Sequence, residues 1–292
     1  MLTPQLLAEY DALRFCGYVP LPDRTKLELR GADRVKFLNS FCTNDIKRLQ
    51  PGDSCEAFIC NVKGHVIGHV LVLCCEDALL LDTVPGQGAK LVAHLDRYLI
   101  REDVQIVDRT ADLEAVLVAG EQAGVGAGER GGGFAISIGQ SRIVWLGKGQ
   151  MPDTRLVPCR PEALEIVRIE SGFPWYGVDI AEDNLPQEVN RNAQAISFTK
   201  GCYLGQETVA RIDALGHVNK TLCGVAFSSD SVPAVGLELR ASDKVVGQVT
   251  SAGWSPKLGR ALALGYIRRG HEMIGTNLTS NLGEATVVEL PV

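Results

Sequence analysis

From residue 221 to residue 292 the sequence reads as one short apolar run after another, broken by glycine-containing turns and with almost no helical periodicity. Such a pattern leaves few folds open. Short strands at regular spacing close most readily into a small antiparallel barrel or sandwich. The preceding two thirds of the chain differ. Residues 4–15 carry Leu6, Leu7, Tyr10 and Leu13 at helical spacing. Residues 54–84 read as three strands joined by hairpin turns at Val62-Lys63-Gly64-His65 and Glu76-Asp77. Helices are predicted at residues 88–99 and 161–170, the latter with Pro161 in its first turn, where no amide donor is lost. Asp33 is placed to cap a helix striped by Val35, Phe37, Leu38 and Phe41. Strand and helix runs do not alternate strictly, which argues for an α+β region followed by an all-β end. The expected division is an α+β region at residues 1–212, in two interleaved subdomains split near 50 and 110, and a barrel domain at residues 213–292.

The 292 residues suffice for two or three small domains. With 29 basic and 35 acidic residues the net charge is −6. Stable nucleic-acid binding is not expected, since neutralising phosphates needs a basic face. No apolar run is long enough to cross a bilayer, and residues 1–14 resemble neither a secretory signal nor a transit peptide, so a cytoplasmic protein without membrane attachment is expected. Nine cysteines are present. An odd number without a secretion signal argues against a disulfide framework, and the absence of C-x-x-C argues against a zinc site. Most read as small buried hydrophobes.

Chemistry concentrates in Lys200-Gly201-Cys202-Tyr203-Leu204-Gly205-Gln206-Glu207. Here a cysteine precedes a helix start, beside a lysine and between glycines. The positive helix end and the Lys200 ammonium would both favour a thiolate at Cys202. Glycine at 201 and 205 permits a sharp turn and a close ligand approach. Glu170 ends a predicted helix, where the dipole disfavours a carboxylate, so a specific partner for it is expected. Two other features carry less. Gly124, Gly126 and Gly128 follow a strand but lack the spacing of a dinucleotide loop and read as a surface loop. Cys74-Cys75 read as two ordinary thiols in a strand.

The segment KGCYLGQETVAR (residues 200–211) closely resembles the signature of the YgfZ family, a branch of the folate-dependent aminomethyltransferase superfamily. Arg168 to Gly172, with Pro174, Tyr176, Gly177, Asp179 and Leu185-Pro186-Gln187-Glu188, resembles that family's folate-site loop. Gly247 to Ser251, Trp254-Ser255-Pro256 and Ala261 to Ile267 resemble its C-terminal barrel. Gly31-Ala32-Asp33 and Thr43-Asn44-Asp45 resemble its N-terminal helix segment. The resemblance implies three domains in a ring around a central channel that binds tetrahydrofolate or a one-carbon derivative. It implies that Glu170 holds the pterin ring, as a carboxylate can accept two parallel N–H bonds from an aminopyrimidine edge. Tyr176 and Glu188, together with Gly201 and Tyr203, are the further candidates for the folate site, and Cys202 with Lys200 for the reactive one.

In glycine-cleavage aminomethyltransferases the strand after the first hairpin turn carries an Asp-Asp pair that serves the folate-dependent transfer. Gly68-His69 stands there in this chain, and a neutral imidazole does not supply a fixed negative charge beside a developing iminium. The expected function is therefore tetrahydrofolate binding in the assembly or repair of iron–sulfur proteins, including cluster-dependent tRNA-modifying enzymes. Its partners would be iron–sulfur proteins or cluster-assembly factors. An active aminomethyl or demethylating transferase is the alternative.

Overall fold

The computed structural model describes residues 2–120, 134–136, 138, 141–150, 152 and 154–292. The glycine-rich stretch at 124–133 lies outside the described residues. Helix α1 (Pro4–Ala12) and strand β1 (Gly17–Pro20) lead into β2 (Thr25–Arg30), helix α2 (Arg34–Asn39), β3 (Ser54–Cys60), β4 (Val66–Cys74) and β5 (Ala78–Thr83). Helix α3 (Gly88–Asp96), strands β6 (Gln105–Asp108), β7 (Leu113–Ala119), β8 (Phe134–Ile136), β9 (Ser141–Gly147) and β10 (Val157–Pro158), and helix α4 (Pro161–Glu170) follow. A loop with one 3-10 turn at Pro186–Val189 reaches the short helix α5 (Asn192–Ala195) and then α6 (Gln206–Leu215). Strands β11 (Lys220–Phe227), β12 (Glu238–Ala241), β13 (Lys244–Ser255), β14 (Arg260–Arg268), β15 (Asn277–Ser280) and β16 (Gly283–Val288) complete the chain.

The strands form two five-stranded sheets and a closed barrel. One sheet has the order β10-β1-β7-β9-β8, the other β3-β4-β5-β2-β6, and the barrel closes as β11-β14-β13-β12-β15-β16. The second sheet draws all its strands from between Thr25 and Asp108, whereas the first takes strands from both sides of it. The two are thus interleaved in sequence, and the division expected near residue 50 falls inside the second sheet.

Each layer buries an apolar face. Leu117, Ile143 and Trp145 of the first sheet pack with Tyr10 of α1 and with Leu164 and Val167 of α4. Leu27, Leu29 and Leu81 of the second sheet pack with Phe37 and Leu38 of α2 and with Leu91 and Leu95 of α3. The opposite face of that sheet is covered as well, where Phe58 and Val66 meet Tyr176, Ile180, Val189 and Tyr203. All nine residues of β4 are consequently buried. Burial on both faces explains why β4 reads as a nearly continuous apolar run instead of an alternating one. Inside the barrel lie Val225, Phe227, Leu239, Val249, Ile267 and Val287. Its outer residues Leu222, Leu262 and Leu264 pack on Ile169 of α4. Each fully buried leucine or isoleucine contributes about 1.5–3 kcal/mol over an exposed one.

A polar pin joins these layers. Arg168, fully buried in α4, donates to Phe173 O and Asp179 Oδ2, both at 2.7 Å, and to Ser251 Oγ of β13 at 2.8 Å. Asp179 accepts in turn from Thr250 Oγ1 and Ser251 Oγ, both at 2.6 Å. One expectation fails locally. Asp33 does not cap α2 through its side chain, because its backbone (φ −90°, ψ 0°) lacks the extended conformation that aims a side chain at first-turn amides. Its Oδ2 accepts from the Asp103 amide at 2.9 Å instead. Among the described residues no helix is long and apolar enough to cross a membrane.

Candidate functional site

Residues 200–207 pack against the turn between β3 and β4 and against the end of α2. Gly205, with φ +84°, sits where a side chain would meet the Asn61 carbonyl oxygen at 2.6 Å. Leu204 N donates to Ser40 O at 2.9 Å. The Lys200 ammonium is buried and donates to three carbonyls, Asn39 O at 2.6 Å, Cys42 O at 2.7 Å and Asn44 O at 2.6 Å. An ammonium has three N–H bonds, so these acceptors use all of them and leave none for the Cys202 sulfur. Burial lowers the Lys200 pKa from the ordinary lysine value. The ring of Tyr203, itself buried, lies 5.0 Å from that nitrogen. Lys200 thus anchors the motif to residues 39–44, while Gly201 and Cys202 stand exposed above it. Six of the other cysteines have thiol pKa values raised by burial: Cys42, Cys55, Cys60, Cys74, Cys159 and Cys223. Cys74 and Cys75 are not joined by a disulfide.

Glu170 lies at the last turn of α4, 4% exposed. Tyr10 Oη donates to its Oε2 at 2.7 Å, and Ser255 Oγ and the Lys257 amide (3.3 Å) donate to its Oε1. These donors supply the partner that its position at a helix C-terminus called for. Burial and the neighbouring carboxylate together push the Tyr10 hydroxyl pKa well up. Glu170 faces a cavity of about 530 Å³ bounded by residues 13–15 just after α1, the end of α4, Arg191, Gln194, Lys257 and residues 291–292. A smaller cavity of about 220 Å³ lies toward the barrel and shares Ser171, Arg191, Gln194 and Pro291 with it. The other candidates lie elsewhere. Tyr176 packs in the cluster over β3 and β4, where Lys90 donates to its hydroxyl at 2.9 Å and lies 5.2 Å from its ring centre. Glu188 accepts from Asn184 Nδ2 at 2.9 Å and from the Leu185 amide at 3.2 Å, with Lys220 at 3.9 Å. Neither lines the cavity that Glu170 faces.

Arg191, which sequence reasoning missed, lines both cavities although only 6% exposed. Glu56 of β3 grips it with both oxygens, at Nε (2.9 Å) and at Nη2. Behind Glu56 stands His69, whose Nε2 is 2.8 Å from Oε1. With Glu56 ionised, that nitrogen donates. The imidazole is held between Phe58 and Phe173, ring centres at 5.2 and 5.5 Å. Gly68, its neighbour, faces the other way, onto Leu91. Burial opposes a charge on Glu56, but Arg191 and His69 outweigh it and lower its pKa to about 2. Asn44 links this region to the motif: its carbonyl accepts from Lys200, and its Nδ2 donates to Gln194 O at 2.9 Å and Glu56 O at 2.8 Å.

Comparison with known proteins accords with this architecture. Residues 8–125 match the GCVT N-terminal domain, and residues 220–292 match the glycine cleavage T-protein C-terminal barrel domain. An aminomethyltransferase of Nostoc sp. is 26% identical over 300 residues, spanning 89% of this chain and 79% of its own. An uncharacterized protein of Haemophilus influenzae is 28% identical over 247 residues, spanning 80% of this chain and 84% of its own. The crystal structure of the glycine cleavage system aminomethyltransferase T from Bartonella henselae has the same fold, with a TM-score of 0.83 at 18% identity, covering 100% of this chain and 90% of that one. The chain thus carries regions matching the GCVT N-terminal domain and the glycine cleavage T-protein C-terminal barrel domain, on the T-protein fold.

Proposed function

We propose that this protein binds a reduced folate in the cavity beside Glu170 and, as a YgfZ-like member of its family, serves the assembly or repair of iron–sulfur proteins in the cytoplasm, tRNA-modifying enzymes among them. The observation that carries the reading is the pairing of a retained carboxylate with a lost acid. Glu170 is buried on the cavity wall, while the place of the transfer aspartates is taken by Gly68, turned onto Leu91, and His69, committed to Glu56. The cavity volume falls in the range of small-molecule sites, about 300–1,000 Å³. Glu170 fits a pterin in part. Its oxygens offer about four acceptor positions, of which three are used by Tyr10, Ser255 and the Lys257 amide. A bidentate grip on an aminopyrimidine edge therefore requires Ser255 or residue 257 to release one oxygen. The bound folate would supply a one-carbon carrier; this chain's residues bind and orient it. Cys202, exposed and carried on a buried lysine anchor, is the group available to a macromolecular partner.

Calorimetric titration with tetrahydrofolate tests the first half. Saturable binding that Glu170→Gln weakens about tenfold or more is expected, as for loss of one charged hydrogen-bonding group. Absence of binding to the wild-type chain would remove the folate reading. In a deletion strain, Cys202→Ala is expected to leave iron–sulfur enzyme activity unrestored; full restoration would argue against a role for the thiol. The relatives named aminomethyltransferase favour a second reading, transfer of an aminomethyl group to tetrahydrofolate. Turnover of an aminomethyl-lipoyl carrier above background would support it.

A further inference from the structure

Another cavity, of about 270 Å³, lies where the end of α6 meets the 3-10 turn and the barrel. It shares no residue with the cavity beside Glu170. Two separate elements bring an unused acceptor to its wall. Gln187 comes from the 3-10 turn and is 7% exposed. Its Nε2 donates to Val209 O of α6 at 2.7 Å, which fixes the amide, while its Oε1 is buried without a hydrogen-bond partner. Glu272 comes from the loop between β14 and β15. Its Oε2 is likewise buried without a partner, and among the described residues its carboxylate forms no ion pair. A buried acceptor that lacks a donor is unfavourable, and a carboxylate oxygen more so. Two of them on one wall call for an occupant that is rich in donors and positively charged. The rest of the lining has the same sign. Asp213 contributes a second carboxylate, and no lysine or arginine lines the cavity. Helix α6 ends here, with Gly216 as its cap at φ +71°, so the negative end of the helix and its free carbonyls face this region. His217 is the one other titratable lining group, with Nδ1 2.9 Å from Leu215 O.

We propose that this cavity binds the terminal ammonium of an alkylamine, with Gln187 Oε1 and Glu272 Oε2 as its acceptors and Asp213 as a rim charge. Three arguments fix the ligand class. Among the described residues no group of three or more His, Cys, Asp or Glu side chains is placed to hold a metal ion, so the donor set suits an organic cation. The acceptors come from separate elements, and an ammonium with three divergent N–H bonds can meet them where a flat guanidinium fork suits a single carboxylate. Ile212 and Val218 also line the cavity and offer an apolar flank to a methylene stem. The volume lies just below the range of sites that enclose a whole small molecule, which fits one alkylammonium arm. That arm belongs either to a free amine or to a lysine side chain of a partner polypeptide.

The test is titration of the isotope-labelled full chain, read by amide chemical shifts, with four probes: n-butylamine, Nα-acetyl-lysine amide, n-butanol as the uncharged counterpart, and butyltrimethylammonium, which has the charge without N–H donors. At least one of the two amines is expected to shift the amides of residues 187–192, 212–218 and 272 and to saturate. Butanol and butyltrimethylammonium should bind about tenfold or more weakly. Tighter binding of Nα-acetyl-lysine amide assigns the site to a lysine side chain, and tighter binding of n-butylamine to a free amine. Glu272→Gln should lower amine affinity about tenfold or more, and Asp213→Asn, on the exposed rim, about threefold. The melting temperature of Glu272→Gln should not fall, because its carboxylate gives up no partner within the chain. A fall would mean that Glu272 is already paired, and it overturns the proposal. So do amines that cause no saturable shift, butanol that binds as tightly as the amines, or a Glu272 variant with unchanged amine affinity; in each case water alone meets the two acceptors. The folate reading stands or falls separately, on the cavity beside Glu170.

Discussion

Glu56 concentrates the electrostatics of the cavity wall in one carboxyl group. It is nearly sealed from water, yet it keeps its charge because Arg191 holds both oxygens and His69 adds a third bond. Its folded pKa, lowered to about 2 from an ordinary value of 4.5, has a consequence of definite sign. A group whose folded pKa lies below its unfolded one contributes stability that is complete above the unfolded value and fades as pH falls toward the folded one. The chain should therefore lose stability between about pH 4.5 and pH 2, and Glu56→Gln should be less stable at neutral pH but shallower across that window. Urea denaturation of both chains at several pH values measures the two slopes. Equal slopes would mean that Glu56 is not held as an ion by Arg191. Lys200 shows the same economy with opposite charge. Its ammonium is kept charged in a buried place by three carbonyls of residues 39–44, and so it acts as the post on which Cys202 is mounted.

Among the elements, α6 and the β3–β4 turn depend most closely on one another. Gly205 precedes α6 at φ +84°, and a Cβ there would lie 2.6 Å from Asn61 O and 3.0 Å from Gly64 Cα. Gly216 ends the same helix at φ +71° with nothing within 4 Å of such a Cβ. Gly205→Ala should therefore cost about 2 kcal/mol or more, from strain and collision together, and Gly216→Ala about 1 kcal/mol from strain alone. The difference in denaturation midpoint between the two variants separates collision from strain; equal losses would mean that the turn yields easily. These elements were legible in the sequence because their signals are local. Pro161 at the start of α4, the unbroken apolar run of β4 and the glycines around α6 each act within a few residues. The cavity wall was not legible in the same way. Arg191 and Glu56 lie 135 residues apart, and Lys200 is more than 150 residues from each carbonyl it meets. No periodicity links positions so separated, because only the packing of the loop at 173–205 onto the second sheet brings them together. Glu170 was the exception, flagged by an unfavourable place at a helix end.

At the scale of the whole molecule, the cavity exists because three layers are held at one corner, and α4 is the element common to them. It packs under the first sheet through Leu164 and Val167, meets the barrel through Ile169, and holds the loop and β13 through Arg168. The barrel meets α4 over a modest apolar patch, so the pin of Arg168, Asp179, Thr250 and Ser251 should set its orientation. Asp179 and Arg168 are both fully enclosed in this pin. Removing Asp179 leaves the buried Arg168 with only the partly exposed Glu165 as counter-charge, at a cost of about 3 kcal/mol. Asp179→Ala should therefore lower the melting temperature strongly. Because Ser251 and Thr250 lose their acceptor at the same time, it should also loosen the barrel from α4 and weaken ligand binding at Glu170, although no pin residue lines the larger cavity. The double variant Arg168→Met/Asp179→Leu removes both charges and should recover much of the stability without restoring the hydrogen bonds to β13. Thermal unfolding and titration with tetrahydrofolate, measured on both variants, separate the two effects. If the pin orients the barrel, binding stays weak in the double variant even as stability returns; if it acts through stability alone, the two recover together.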